Sequence, residues 1–214
     1  MLYLQRFTFN PVQENAYVLF NDQRECCIID PGCYFAEEEA ALTGFVAAEG
    51  LTPVLLLNTH CHFDHSFGNA FVHRTWGLPL QLHRLEEAVL AYGPASAARF
   101  GLQFQPFEGP LQYLEEGDTL TLGRERLTVL FAPGHSPGHL CFYCEEHSFL
   151  IGGDVLFQGS IGRTDLPGGS FEVLEQSIRT RLYTLPDAVT VHPGHGPATT
   201  IGREKRGNPF VQGE

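Results

Sequence analysis

The stretch Thr59-His60-Cys61-His62-Phe63-Asp64-His65 places three imidazoles and a carboxylate within six residues. Such side chains suit Zn²⁺, and also iron or manganese. On an extended chain His60 and His62 share a face while His65 points the other way, because side chains alternate. No regular element aims all of them at one point. The stretch is therefore expected to be a loop folding around metal, and ligands directed two ways suggest two adjacent ions rather than one.

Working outward, other apolar runs end in residues of the same kind. Pro53 to Asn58 runs into His60, and Ser148 to Gly153 ends at Asp154. Ala188 to Val191 leads through His192-Pro-Gly to His195, and Arg126 to Phe131 leads through Ala-Pro-Gly to His135. Runs this short read as buried strands, and the glycines and prolines after them mark loops. Strands lying side by side would deliver these ligands to one edge of a sheet. Gly152-Gly153 before Asp154 lets the backbone approach the metals closely.

These segments together resemble the metallo-β-lactamase superfamily: Thr59 to His65, then Pro133-Gly134-His135, Gly153-Asp154 and Gly194-His195-Gly196, in order along nearly the whole chain. The resemblance implies an α/β (α+β) fold, the αββα four-layer sandwich, with two mixed sheets face to face and helices outside. It implies His60, His62 and His135 on one metal, Asp64, His65 and His195 on the other, and Asp154 bridging. Within the superfamily the chain looks most like short bacterial glyoxalase II-like hydrolases. Gly162-Arg163-Thr164-Asp165, the segment from His192 to Lys205, and Asn208-Pro209-Phe210 carry that similarity. Full-length glyoxalases II add a C-terminal helical domain that grips glutathione. Only 19 residues follow His195 here, so no such domain and no strict glutathione specificity are expected.

Length and composition fit one domain over residues 1–214. The formal charge of −12 argues against nucleic acid or an anionic membrane as partner. No signal peptide is read at Met1-Leu-Tyr-Leu, and no apolar run reaches membrane-spanning length. The six cysteines read as reduced thiols of a cytoplasmic protein. Cys26 and Cys27 are adjacent in a strand, and Cys141 and Cys144 lie in another, so each pair faces opposite ways.

Leu2 to Phe9, Ala16 to Phe20 and Glu25 to Ile29 read as an antiparallel start closed by Asp30-Pro31-Gly32. Ala36 to Glu49, Ser66 to Trp76, and Phe171 to Leu185 with Ser170 as N-cap read as helices. Leu85 to Tyr92 and Ala95 to Phe100 read as short helices broken by Gly93-Pro94. Thr119 to Leu122 and Arg126 to Phe131 form a hairpin across Gly123-Arg124. His139 and His192 read as supporting residues rather than ligands. His73, His83 and His147 read as packing or surface residues. Arg163 is either paired with Asp165 to fix a loop or turned toward an anionic substrate.

The chemistry implied is a metallo-hydrolase acting on thioester, ester or lactone bonds, of the hydroxyacylglutathione hydrolase type. Two divalent ions, zinc expected and iron or manganese as alternatives, would supply a metal-bound hydroxide near neutral pH. Asp64 and Asp154 would act at the metals and Arg163 at the substrate, a small thioester. The other class weighed is a persulfide dioxygenase of the same fold, which by resemblance would hold one iron on His60, His135 and Asp154.

Overall fold

The computed structural model describes residues 1–213. The first half of the chain builds one sheet in sequence order from β1 (Leu2–Phe9), β2 (Glu14–Asn21), β3 (Glu25–Ile29), β4 (Thr52–Leu57), β5 (Leu80–Leu82) and β6 (Leu111–Tyr113). Its helices are α1 (Ala36–Ala48), α2 (Phe63–Ser66), α3 (Asn69–Trp76) and α4 (Glu87–Ala98). β1 to β3 pair antiparallel, and β3 to β6 run parallel.

The second half builds the other main sheet. Its strands are β7 (Thr119–Leu122), β8 (Glu125–Phe131), β9 (Leu140–Cys144), β10 (Phe149–Gly153), β13 (Thr190–Pro193) and β14 (Thr199–Thr200), in spatial order β14-β13-β10-β9-β8-β7. A small hairpin of β11 (Leu156–Phe157) and β12 (Ser160–Ile161) follows β10. Helices α5 (Phe171–Ser177) and α6 (Ile201–Gly207) lie in the same half.

Side-chain alternation explains the layering. Tyr17, Leu19, Cys27, Ile29 and Leu57 of the first sheet meet Val129, Leu140, Phe142, Cys144 and Ile151 of the second in a middle core. Their neighbours Val18, Cys26, Ile28 and Leu56 point outward onto Leu42, Val46, Val72 and Leu90 of α1, α3 and α4. Cys141, Leu150 and Val191 point outward onto Leu174, Ile178, Leu182 and Ile201. The result is the expected αββα sandwich. Cys26/Cys27 and Cys141/Cys144 divide between layers, as alternation requires.

Four expectations shift in detail. β4 lies in the first sheet while β8, β10 and β13 lie in the second, so the candidate ligands converge from two facing sheets rather than one. α4 runs unbroken through Gly93 and Pro94. Tertiary packing outweighs the local cost: the Cα of Gly93 lies close on Phe104, and Ala97 is buried against Phe63 and Phe67. The expected Ser66 to Trp76 helix is split at Phe67-Gly68, where the Gly68 N–H leaves the helical ladder and donates to the Pro31 carbonyl at 2.7 Å. The helix after Ser170 is capped by that hydroxyl, but it widens into π-type turns over Ile178–Leu182 and stops there. Among the described residues, no helix is long and apolar enough to cross a membrane.

Candidate metal centre

β3, β4, β10 and β13 end at the same edge of the sandwich, where the two sheets face each other. After β4 the chain runs extended to His62 and then turns into α2, a single helical turn. That change of direction aims Asp64 and His65 differently from His60 and His62. β10 leaves the sheet through a bulge between Ile151 and Gly153 against β13. Such a bulge re-aims the next side chain, here Asp154. Gly153 has φ 47°, and a Cβ there would fall 2.5 Å from Thr59 Oγ1 and 2.6 Å from His139 Nε2. A Cβ on Gly194 would fall 2.2 Å from Asp154 Oδ1. Both positions are closed to any larger residue.

The structure brings together all the residues singled out as ligands. His60, His62 and His135 form one group, and Asp64, His65 and His195 another; His60, His65 and Asp154 link them, with ligand atoms in each group within 4.8 Å of one another. His135 Nε2 lies 3.0 Å from His62 Nδ1 and 3.2 Å from His60 Nε2. A tetrahedral ion bound at 2.0–2.1 Å sets neighbouring ligand nitrogens about 3.3 Å apart, so this trio has the required spacing. Asp154 lies between the groups: its Oδ2 is 3.5 Å from His135 Nε2 and 3.6 Å from His195 Nε2, and its Oδ1 is 3.5 Å from His65 Nε2. Asp64 Oδ2 is 3.2 Å from His195 Nε2.

Two observations fit this donor set to cations. His65 Nε2 and Asp154 Oδ1 are buried, have no hydrogen-bond partner, and face each other. Buried polar atoms rarely stay unpaired, and an ion between them would satisfy both. The second is electrostatic. Burial lowers the pKa of His60 and His135 and pushes His62 down to about 3, so these imidazoles are neutral, the form that binds metal. Burial would also lower His65, but Asp154 and Asp64 override it and hold His65 well above its ordinary range. The carboxylates thus demand positive charge at this point, which a divalent cation would supply.

Supporting residues fix the rings. Asp30 is buried at the end of β3 and accepts hydrogen bonds from the Thr59 N–H (2.7 Å), Thr59 Oγ1 (2.6 Å) and Asn58 Nδ2 (3.1 Å). Its Oδ2 faces His65 Nδ1 at 3.1 Å. His135 Nδ1 donates to the Arg163 carbonyl at 2.7 Å, and His195 Nδ1 to the Gln13 carbonyl at 3.2 Å. Each of these bonds places the ring proton away from the cluster. Buried Glu86 accepts from the Cys61 N–H, the Gly138 N–H and the Ser136 hydroxyl, tying the His60–His62 loop to the His135 loop. His139 is buried, stacks on His60 at 4.8 Å, and accepts from the Asp154 N–H through Nε2. His192 touches no ligand and packs edge-on to Tyr17 and Phe149. Cys61 points into the core. Asp30 and Glu86 are the supporting residues sequence reasoning missed.

A cleft of about 420 Å³ opens over the cluster, with His62, Asp64, His135, Asp154 and His195 on its floor. Val12, Phe63, Phe100, Phe157, Ile161 and Leu166 form much of the wall. Arg163 is also on the wall, and its guanidinium makes two 2.7 Å contacts to the Asp165 carboxylate.

Residues 9–195 match the model of the metallo-beta-lactamase superfamily, and the chain belongs to that superfamily. It is 40% identical over 210 residues to the probable metallo-hydrolase YqgX of Bacillus subtilis, covering 98% of this chain and 97% of that one. It is 38% identical to the hydroxyacylglutathione hydrolase GloC of Haemophilus influenzae, covering 93% of each. The crystal structure of TTHA1623 in a di-iron-bound form superposes with a TM-score of 0.87 at 40% identity, covering 97% of this chain and 100% of that one. Family and site together define a metallo-hydrolase with a histidine-rich metal site.

Proposed function

We propose that the protein is a glyoxalase II-like thioesterase, with His60, His62 and His135 holding one divalent ion, Asp64, His65 and His195 a second, and Asp154 shared between them. The observation that carries this reading is the position of Asp154, one oxygen toward His65 and the other toward His135 and His195. The similarity to GloC supports the thioester class. The donor set suits zinc and also iron, and TTHA1623, a relative at 40% identity, binds two irons. Six free, buried cysteines suit a reducing, cytoplasmic setting.

When bound, such a pair of cations polarises the scissile carbonyl and lowers the pKa of water toward neutrality. The protein's own groups do the positioning. Asp64 lies on the cleft floor, where it can accept a hydrogen bond from the attacking water. His195 Nε2 lies beside that carboxylate, 3.2 Å from its Oδ2, as a second donor to the same candidate ion. His62 and His135 border the opposite half of the floor, where the carbonyl oxygen would sit. A thiolate with a pKa of about 8.5 leaves without protonation, so no further acid is required of the chain.

The test is metal analysis of protein purified without added metal, paired with two assays. Two equivalents of metal and hydrolysis of S-lactoylglutathione are expected. One iron per chain, no hydrolysis, and oxygen uptake on glutathione persulfide would overturn the reading in favour of a dioxygenase.

A further inference from the structure

The cleft wall carries little that would hold an anionic substrate. Among the described residues lining it, Arg163 is the only Lys or Arg. The Nε–Nη2 edge of its guanidinium is already engaged, Nε to Asp165 Oδ1 and Nη2 to Asp165 Oδ2, both at 2.7 Å. A bidentate pair of this kind uses the fork geometry that would otherwise grip a substrate carboxylate. The net field also opposes anions, with a formal charge of −12 on the chain. Ser96 and Ser160 add only neutral hydroxyls.

The remaining wall is apolar. Phe63 packs 5.1 Å from Phe100, and Phe100 is 59% exposed at the cleft mouth. Phe157, Ile161 and Leu166 continue the apolar surface. A large exposed apolar side chain beside a concave site marks a place where ligand surface is buried.

We infer that the cleft favours uncharged esters or thioesters bearing an apolar chain over glutathione thioesters, and that Asp165 sets this preference by pairing with the one guanidinium on the wall. Asp165 is thus a specificity-determining residue: its carboxylate competes with substrate carboxylates for the Arg163 guanidinium. The inference rests on the hydrolase reading for the site's chemistry, but the binding preference is measurable without turnover.

The experiment is calorimetric titration of the metal-loaded protein with thioethers, which cannot be hydrolysed. S-hexyl-N-acetylcysteamine is compared with S-hexylglutathione, and S-butyl with S-hexyl in each series. The neutral ether is expected to bind at least as tightly as the glutathione ether. Each added methylene should tighten binding by roughly two- to fourfold, the upper value corresponding to the about 0.8 kcal/mol of a fully buried CH₂. In Asp165→Asn, the ratio of the two affinities should shift about fivefold or more toward the glutathione ether. Three results would each overturn the inference: tenfold tighter wild-type binding of the glutathione ether, an unmoved ratio in the variant, or no dependence on chain length. The matching thioesters are assayed in parallel. Ether binding as expected with no thioester cleaved would remove the hydrolase reading and leave the cleft preference standing. Cleavage with a strong glutathione preference would do the reverse.

Discussion

Replacing Asp30 tests whether the carboxylate behind His65 is what makes that ring a ligand. Asp30 is 1% exposed and receives Thr59 N–H, Thr59 Oγ1, Asn58 Nδ2 and His65 Nδ1. Asp30→Asn keeps the volume, and its remaining oxygen can still accept from the Thr59 N–H. Its amide, however, presents a donor to His65 Nδ1, which must then become an acceptor. The ring proton moves to Nε2, the atom that faces Asp154, and ligation there is lost. Removing such a supporting group costs about 10–100-fold in metal affinity, or roughly 1.4–2.8 kcal/mol. Asp30→Ala goes further and leaves all of those donors buried without an acceptor. At about 1–3 kcal/mol each, reduced by relaxation and water entry, the total is roughly 3–5 kcal/mol. For a chain of this length that lowers the thermal midpoint by about 6–20 °C. Chelator competition measures the affinity and calorimetry the midpoint. An Asp30→Asn protein that binds metal with wild-type stoichiometry and affinity would refute the reasoning.

Gly153→Ala should lower activity by at least about 100-fold while the strands stay folded, because its Cβ collides with Thr59 and His139 and displaces Asp154; turnover and circular dichroism check it, and near-normal turnover counts against the bulge's role. His192 is pushed down from 6.5 to about 4, chiefly by burial and also by Arg6. The unfolded chain therefore takes the proton first, and the stability tied to this group is intact above about pH 6.5 and lost as pH falls toward about 4. His192→Phe should flatten the fall of metal-free stability across that window by up to about 3 kcal/mol; equal slopes for variant and wild type would remove the assignment.

Local patterns carried the strands and the candidate ligands well. Glu25 to Ile29 was legible from its boundary turn signals and apolar run, and the three histidines from their spacing. Asp30 was not, because Asp-Pro-Gly after a strand reads as an ordinary turn. Its contacts lie 28 to 35 residues away along the chain, and only the fold reveals them. Glu86 fails for a related reason: beside Glu87 it looks like a solvated helix start, yet one is buried and the other is partly exposed. The division of strands between sheets is equally non-local, since an apolar run specifies burial on both faces but no partner. The break expected at Gly93-Pro94 shows propensity losing to packing.

Each half of the chain builds its own sheet, and the candidate centre lies on the seam. His60, His62, Asp64 and His65 come from the first half, and His135, Asp154 and His195 from the second. An ion held there is therefore a reversible cross-link between distant parts of the chain. Its binding free energy appears as folding free energy, growing as RT ln(1 + [M]/Kd) with free metal. Free metal would then add to the apolar core in holding the two sheets against each other, so that its supply would bear on the protein's persistence separately from any part in turnover.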